Sequence, residues 1–497
     1  MQSHNIKPED PKNERIVENK ELSIWEALIP VIALVGMLFY NVFYAFGDDA
    51  LSGSNQFILL MGAAVAAVVG FFNRVSFDQM LEEVAQNIKS TAGAILILLM
   101  VGALAGTWLI SGIIPTMIYY GLQVLNPTIF LASCVIICSI ISVATGSSWT
   151  TSATVGIALI GIANALDVPL GMTAGAILSG AYFGDKISPL SDTTNLAPAM
   201  AGTDLFTHIR YMLYTTLPTM TITLIVFIIM GLNIETKGTA DTHLILEAVK
   251  ESIHISPWLF LVPIIVVVLI IKKTPPLIAL LIGTLMAAIA ALIFQPNIVA
   301  AMGGSSALTF ESGYKGIMNA ITVQTNIPTE NAALTDLFSS GGMTGMLNTI
   351  WLILCAMTFG GIMDAIGALA AISKALLKLF HTTFGLFAST VVSCLALNVT
   401  ASDQYLAIVI PGKMYAKAFR DKGLAPENLS RTLEDSGTVT SVLVPWNTCG
   451  AYHSGVLGVD TLHYAGYAIF NWVSPFMTLL FAAFRIKIKQ LARPISA

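Results

Sequence analysis

An apolar stretch with a polar break in its middle decides how this chain folds: residues 170–201 read LGMTAGAILSGAYFGDKISPLSDTTNLAPAMA. Small and apolar residues run from Leu170 to Phe183, the polar residues GDKISPLSDTTN follow, and apolar residues resume at Leu196. Inside a membrane, backbone that leaves the helix is tolerated only where protein shields it or where it lines a water-filled cavity. The stretch therefore predicts an interrupted helix with a polar site at its break.

The composition places this stretch in a membrane. Of the 497 residues, 11% are charged and 55% are hydrophobic, whereas an ordinary soluble domain has about 25% charged residues. Apolar runs close to the roughly 20 residues that cross a bilayer recur along the whole chain. We predict an all-α polytopic membrane protein with one membrane domain, which excludes a typical soluble enzyme.

Charge and cysteine content exclude further classes. Lys and Arg number 24 and Asp and Glu 29, giving a net charge of −5, and Lys272-Lys273 is the longest basic cluster, so no nucleic-acid partner is expected. The five cysteines lack CxxC spacing and lie in apolar or small-residue stretches, which favours buried side chains over a disulfide framework or a zinc site. No cofactor is expected. Residues 1–23 hold nine charges and predict a polar tail rather than a cleaved signal peptide.

Two halves of the chain are similar to each other. Trp25 and Pro30 recur as Trp258 and Pro263, an offset of 233. Four further positions recur at an offset of 255: Gly106 with Gly361, Gly112 with Gly367, Thr145 with Thr400 and Ser147 with Ser402. The offset changes because the polar link between the second and third spans is longer in the second half (295–342) than in the first (73–91). Duplicated units are typical of secondary transporters.

Lys and Arg in the short loops predict the orientation of each half. In the first half they occur in the tail and in 73–91 but not in 47–55, so the first half starts inside. In the second half the bias reverses, since Lys272-Lys273 follow the first span and five basic residues lie in 413–431. We predict two inverted-topology repeats in the cell (inner) membrane, with both termini cytoplasmic.

Each repeat is predicted to have about five crossings, one re-entrant hairpin and one interrupted helix. The predicted division is a cytoplasmic tail (1–23), repeat 1 (24–232), an external linker (233–256), repeat 2 (257–484) and a cytoplasmic tail (485–497). The first repeat has spans at 24–46, 56–72 and 92–112, a hairpin of 128–143 and 148–162, an interrupted helix at 170–201 and a span at 212–232. The second has spans at 257–271, 276–294 and 346–366, a hairpin of 383–398 and 403–416, an interrupted helix at 430–455 and a span at 464–484.

Four polar breaks in apolar runs are the candidate sites, namely 144–148, 184–195, 399–404 and 444–450. Freed carbonyls and the oxygens of Ser, Thr, Asn and Asp are ligands for a hard monovalent cation. The candidate ion- or substrate-binding residues are Thr145, Ser147, Ser148, Asp185, Ser188, Asp192, Thr193, Asn195, Thr400, Ser402, Asp403, Asp435, Asn447 and Thr448. A Na⁺ site is expected among Ser147, Asp192, Asn195, Ser402, Asp403 and Asn447.

The carboxylates among these candidates favour ion exchange. An ionisable group inside a span costs several kcal/mol and is a functional candidate by default. Burial disfavours the charged form of a carboxyl group and a nearby cation favours it, so H⁺ and Na⁺ can compete for one site. Three alternatives stay open: Asp185 pairs with Lys186, Asp435 is a solvated loop or cap residue, and Asp192 or Asp403 caps a half-helix.

The run GDKISPLSDTTNLAPAMAGTDL at 184–205 resembles the signature of the NhaC family of Na⁺/H⁺ antiporters, and TASDQ (400–404) and VPWNTCG (444–450) resemble its partners in the second half. The resemblance covers most of 22–485. It implies a scaffold and a transport domain with paired hairpins and elevator-like motion, and a homodimer. It also implies that the transport site is lined by Asp185, Asp192, Asn195, Asp403 and Asn447.

We therefore predict a secondary active transporter that exchanges Na⁺ for H⁺ across the bilayer by alternating access. The alternative is a Na⁺/H⁺-coupled carboxylate exchanger of the malate/lactate type or an amino-acid transporter, because similar proteins carry such solutes. An intramembrane enzyme is disfavoured, since no histidine begins HExxH, Tyr182 replaces the first Gly of GxGD and Tyr452 disrupts GxSG. A channel is disfavoured by acidic groups that would bind ions tightly.

Overall fold

The computed structural model describes residues 22–46, 53–124, 127–234, 246–247, 249–327, 338–379 and 382–491. The predicted tails and linker lie partly outside the described residues, as does the loop at 47–55. The described chain is almost entirely helical, with one two-stranded antiparallel ladder in which Thr325 pairs with Ser340. The all-α prediction is therefore confirmed.

The first half contains the two arms of the predicted hairpin and both parts of the predicted interrupted helix. Its helices are α1 (Ile24–Tyr40, extended by a π-helical turn Asn41–Phe46), α2 (Ser54–Phe72), α3 (Phe77–Ile110), α4 (Ile113–Val124), α5 (Pro127–Thr145), α6 (Ser148–Thr151, followed by a π-helical turn Ser152–Gly156), α7 (Ile157–Ala165), α8 (Leu170–Ile187), α9 (Asp192–Ala201) and α10 (Leu205–Leu232).

The second half repeats this order with additional short elements between its second and third spans. After a 3₁₀ turn (Pro257–Phe260), its helices are α11 (Leu261–Ile271), α12 (Pro276–Phe294), α13 (Pro296–Met302), α14 (Phe310–Thr322), α15 (Gly342–Gly345), α16 (Leu347–Ala365), α17 (Ala368–Leu379), α18 (Thr383–Thr400), α19 (Gln404–Asp421), α20 (Pro426–Leu433), α21 (Thr448–Leu457), α22 (Thr461–Ala465) and α23 (Ile469–Ala483). Strands β1 (Thr325–Asn326) and β2 (Ser339–Ser340) lie between α14 and α15, and a π-helical turn (Glu434–Thr438) and a 3₁₀ turn (Ser441–Leu443) separate α20 from α21.

The helices have the lengths and surfaces of membrane spans. Among the described residues, eight helices are long and apolar enough to cross a membrane. Large apolar side chains on their outer faces are exposed, for example Ile32, Ile289 and Ile293. Monomeric soluble proteins rarely expose contiguous apolar patches of this kind, whereas lipid tails would cover them. The chain is a multi-pass membrane protein.

Helix α3 differs from the predicted third span. It begins at Phe77 rather than at residue 92, so most of the predicted polar link at 73–91 is helical. Ser76 starts it with a capping box, in which the Ser76 side chain accepts from the backbone N–H of Gln79 and the Gln79 side chain accepts from that of Ser76. Its 34 residues extend about 50 Å. The polar first turns therefore continue the span beyond the bilayer core, which hydropathy alone does not reveal. Four further helices were not predicted: α4, α17, and α13 and α14 within the predicted polar link at 295–342.

Backbone geometry recurs between the halves. Positive φ angles occur at four pairs of positions: Gly112 and Gly367, Gly146 and Ser402, Asp167 and Gly423, and Gly202 and Gly458. The first pair is 255 residues apart and the other three are 256 apart. The left-handed residue at the hairpin tip is thus Gly146 in one half and Ser402 in the other. At the tips, Ser147 therefore corresponds in structure to Asp403, one residue beyond the sequence match with Ser402.

The first hairpin arm and the interrupted helix pack closely because small residues face each other. A Cβ added to Gly180 of α8 would collide with the Val135 carbonyl of α5, and one added to Gly184 would lie 2.5 Å from the Ser142 Cβ. Ser142 Oγ also donates to the Ala181 carbonyl at 2.6 Å. Small residues at helix contacts allow the backbones to approach in this way.

Gly180→Ala is expected to lower the thermal unfolding temperature in detergent, because the new methyl group has no room against the Val135 carbonyl. Overpacking of this kind costs about 1–3 kcal/mol. The control is Gly36→Ala in α1, where nothing lies within 4 Å of the added Cβ, so it should be neutral or stabilising. Equal unfolding temperatures for the two variants would contradict the close α5–α8 contact.

Candidate functional site

The polar breaks of both halves meet around a cavity of about 600 Å³. Its wall also includes Ser90 and Thr91 of α3 and the loop at 273–276. The structure brings seven of the predicted site residues to this wall: Thr145, Ser147, Asp185, Asp192, Thr193, Asp403 and Thr448. Residues more than 200 positions apart in the sequence therefore form one polar chamber.

Asp185 lies in the last turn of α8 and its carboxylate points to the first hairpin tip. Asp185 Oδ2 accepts hydrogen bonds from Ser148 N at 3.1 Å and Ser148 Oγ at 2.7 Å. The side chain is nearly buried. Because Ser148 begins α6, the positive end of that helix dipole also favours a negative charge here. Asp185 is thus a buried acceptor that receives hydrogen bonds from neutral groups of the tip.

The break of the first interrupted helix is held by its own side chains. Ser191 caps α9 by accepting from Thr194 N, and Asn195 Nδ2 donates to the carbonyls of Pro189 and Ser191. Asp192 follows the cap and its side chain is exposed at the cavity. The alternative that Asp192 caps the half-helix is therefore wrong, because Ser191 does so. Asn195 stabilises the break and is not on the cavity wall.

The second half has the equivalent arrangement with a carboxylate as the cap at the tip. Asp403 Oδ1 accepts from the backbone N–H groups of Tyr405 (2.8 Å) and Leu406 (3.0 Å), so Asp403 both caps α19 and lines the cavity. Asn447 caps α21. Thr448 N donates to the Ser402 carbonyl at 2.9 Å, which joins the hairpin tip to the helix break.

Two buried hydroxyl groups at the tips have no hydrogen-bond partner among the described residues. They are Thr145 Oγ1 and Ser402 Oγ. Buried hydroxyls are normally paired, and an unpaired oxygen beside carboxylates is free to bind a cation. The remaining predicted residues support the tips: Ser188 Oγ donates to the Val143 carbonyl and Thr400 Oγ1 to the Ala396 carbonyl.

Lys186 and Asp435 form a buried ion pair behind the cavity. Lys186 Nζ bonds to Asp435 Oδ1 and to Ser474 Oγ, and Thr478 Oγ1 donates to Asp435 Oδ2. Both charged side chains are fully buried. The alternative pairing of Asp185 with Lys186 is therefore wrong, and so is a solvated Asp435. Neighbouring residues in a helix point in different directions, so Asp185 faces the cavity while Lys186 reaches the opposite half.

Three further buried charged residues, Glu427, Arg431 and Glu434, were not predicted. Glu434 Oε1 accepts from Thr193 Oγ1 at 3.0 Å, so it lies directly behind the cavity wall. The Arg431 guanidinium is fully buried and lies 4.7 Å from the centre of the Tyr211 ring. The sequence feature that indicates Arg431 and Glu434 is the polar run RTLEDSGT at 431–438, which lies within an apolar region. The prediction used the neighbouring break at 444–450 instead.

Comparison with known proteins identifies the family. The model described as the Na⁺/H⁺ antiporter family matches residues 180–486, which include the break of the first interrupted helix, the second hairpin and the second interrupted helix. The chain belongs to the Na⁺/H⁺ antiporter family. The predicted resemblance to NhaC is confirmed: the Na⁺/H⁺ antiporter NhaC of Alkalihalophilus pseudofirmus is 36% identical over 85% of this chain and 88% of its own length.

The names of two other relatives include solutes other than Na⁺ and H⁺. The malate-2H⁺/Na⁺-lactate antiporter of Bacillus subtilis is 35% identical over 87% of this chain and 88% of its own length. The arginine/ornithine antiporter ArcD of Halobacterium salinarum is 32% identical over 93% of this chain and 92% of its own length. The Na⁺/H⁺ antiporter family match is thus compatible with more than one exchanged solute.

Asp435→Asn is expected to destabilise the protein, because it leaves the Lys186 ammonium buried without a counter-charge. Breaking one side of a buried pair costs about 3–5 kcal/mol. Adding Lys186→Met should recover much of the loss, since the double variant has no unpaired buried charge. Thermal unfolding of the purified protein measures both. A double variant no more stable than Asp435→Asn would refute the pair's role.

Proposed function

We propose that this protein is a secondary active transporter that exchanges Na⁺ for H⁺ by alternating access at the cavity. The observation that carries the proposal is the meeting of Asp185, Asp192 and Asp403 with hydroxyl and backbone groups at helix breaks from both halves. Helix breaks near the middle of a membrane domain are how secondary transporters bind ions. The names of the NhaC relatives support the same exchange.

The proposed chemistry is competition for oxygen ligands. A Na⁺ ion takes carboxylate, hydroxyl and carbonyl oxygens, and the cavity offers them at Ser147, Asp192 and Asp403. The other members of the predicted Na⁺ set are Asn195, Ser402 and Asn447, which lie in the same tips and breaks but off the cavity wall and would support the site from there. When Na⁺ leaves, a carboxylate in this low-dielectric surrounding is neutralised by a proton instead. Each exposure of the cavity to one side then trades one ion for the other.

We also propose that the protein consists of two inverted repeats, 24–232 and 257–484, with cytoplasmic termini. The recurrence of positive φ angles at 255 or 256 residues and of N-caps at the tips and breaks supports the duplication, and the Lys and Arg distribution supports the inversion. A homodimer in the cell membrane remains the prediction from the resemblance.

Two groups of helices support an elevator-like motion. Helices α1, α2, α3, α12 and α16 pack on one another and would form the scaffold. The hairpins and interrupted helices pack together with α10 and α23 and would form the transport domain. The cavity lies where α3 of the first group faces the tips of the second, so sliding between the groups would move the site across the membrane.

A second candidate function is Na⁺/H⁺-coupled exchange of a small carboxylate or amino acid. The cavity of about 600 Å³ is larger than a single ion needs, and Lys273 on its wall could pair with a carboxylate group. The names of the malate/lactate and arginine/ornithine relatives favour this alternative.

The deciding experiment uses purified protein in liposomes with an imposed pH gradient and a lumenal pH dye. Na⁺ alone is expected to collapse the gradient, and the same vesicles without protein are the control. If the gradient collapses only after malate, lactate or arginine is added, the second candidate is correct. No collapse under any condition would refute both.

Asp185→Asn and Asp192→Asn are each expected to reduce coupled exchange to the protein-free background, because an amide neither releases a proton nor neutralises Na⁺. The matched control is Asp364→Asn, since Asp364 is a half-buried carboxylate at the end of α16 away from the cavity wall. All three variants should reach the membrane in similar amounts. Normal exchange by both site variants would show that the ions bind elsewhere.

A further inference from the structure

A second pocket lies at the ends of α10 and α23, away from the transport cavity. Its volume is about 480 Å³ and its wall is formed by Thr207, Arg210, Tyr211, Tyr214, Lys487 and Lys489. Three cationic and two aromatic side chains thus surround one concave surface. The segment after α23 bends back to provide the two lysines.

The pocket holds uncompensated positive charge. Lys489 Nζ is paired with Glu427 Oε1 at 2.5 Å. Neither Arg210 nor Lys487 has an ion pair among the described residues. The Lys487 ammonium lies 5.1 Å from the centre of the Tyr214 ring, which orients it without neutralising it. Asp204 is the nearest acid on α10 and is occupied in capping that helix through Thr207 N. An anion is the complementary ligand.

The position of the pocket along α10 matches the headgroup layer of a bilayer. Helix α10 has 28 residues and is about 42 Å long, roughly 12 Å longer than the hydrocarbon core. Its first turns carry Thr207, His208 and Arg210, and its later turns have no charged residue and end in the apolar run 224–230, so the N-terminal end is the one that projects. Tyr214 is an exposed aromatic of the kind enriched at membrane interfaces.

An exposed apolar stripe continues from the pocket along the same helix face. Leu217, Ile225 and Ile228 follow Tyr214 at spacings of three to eight residues that keep them on one side of α10, and all three are exposed. A free phosphate ion would leave this stripe unused. A phospholipid would place its phosphate at Arg210 and Lys487 and an acyl chain along the stripe.

We propose that this pocket binds the headgroup of an anionic phospholipid, with Arg210 and Lys487 holding the phosphate. The bound lipid would touch a segment tied to the second interrupted helix. Tyr211 Oη donates to Asn428 Oδ1 at 2.6 Å, and the Lys489 carbonyl accepts from Ala425 N at 3.0 Å and Asn428 Nδ2 at 2.6 Å. Asn428 belongs to α20, which leads into the Glu434–Thr438 turn behind the transport cavity.

The test measures lipid binding to the full-length protein in detergent by native mass spectrometry. Short-chain phosphatidylglycerol is the probe, and short-chain phosphatidylcholine and glycerol 1-phosphate are the comparison ligands. Saturable binding of phosphatidylglycerol is expected. Arg210→Gln and Lys487→Gln should each weaken it about fivefold, the usual effect of one basic residue near an anionic membrane surface.

The control variants are Lys417→Gln and Arg420→Gln, which remove exposed charges from α19 outside the pocket. They should bind phosphatidylglycerol like the unmodified protein. Three outcomes would overturn the proposal. Equal weakening by the pocket variants and the control variants would mean diffuse electrostatic attraction. Equal affinity for phosphatidylcholine would exclude a charge-selective site, and equal affinity for glycerol 1-phosphate would assign the pocket to a soluble anion. Binding is measured without transport, so its failure is distinguishable from failure of Na⁺/H⁺ exchange.

Discussion

The constraint that governs this structure is that backbone polar groups inside a membrane need partners within the protein. Breaking a helix there exposes N–H and C=O groups, and each of the four breaks supplies a side chain to satisfy them. Ser147, Ser191, Asp403 and Asn447 cap the helices that resume after the breaks. The same caps place oxygens and helix N-termini around one cavity. The requirement for hydrogen bonding and the presence of the proposed ion-binding chamber therefore have a common origin.

The ion pair between Lys186 and Asp435 determines what the cavity can do. The two residues are 249 positions apart and join the first interrupted helix to the second. Because the ammonium of Lys186 is committed to Asp435 and Ser474, Asp185 next to it accepts hydrogen bonds from the neutral groups of Ser148 rather than an ion pair with Lys186. A carboxylate without a fixed counter-ion is the group that a mobile cation or proton can neutralise. A direct pair between Asp185 and Lys186 would have given Asp185 a fixed counter-ion, so that a mobile cation or proton would no longer be needed to neutralise it.

Local patterns predicted the parts of this fold that local physics controls. Apolar run length and polar interruptions predicted the helical arms at 128–143 and 148–162 and the break at 184–195, and the described chain has helices and a break at these places. They failed for α3, whose polar first turns lie beyond the apolar run, and for Glu434, whose partner Thr193 is 241 residues away. Hydrogen bonding across such distances has no periodic signature, so only the assembled structure reveals it.

The three cavity carboxylates differ in the hydrogen bonds that the protein already donates to them, and this difference predicts an order for the steps of the proposed exchange. Asp403 accepts two backbone N–H bonds and Asp185 accepts two bonds from Ser148. Asp192 is exposed to the cavity at the start of α9. In the proposed exchange, an ion arriving from water would keep most of its hydration while it meets Asp192 first. Losing the remaining water would then require the preorganised oxygens of Asp185 and Asp403, so binding would draw the two halves of the site together before the cavity opened to the other side.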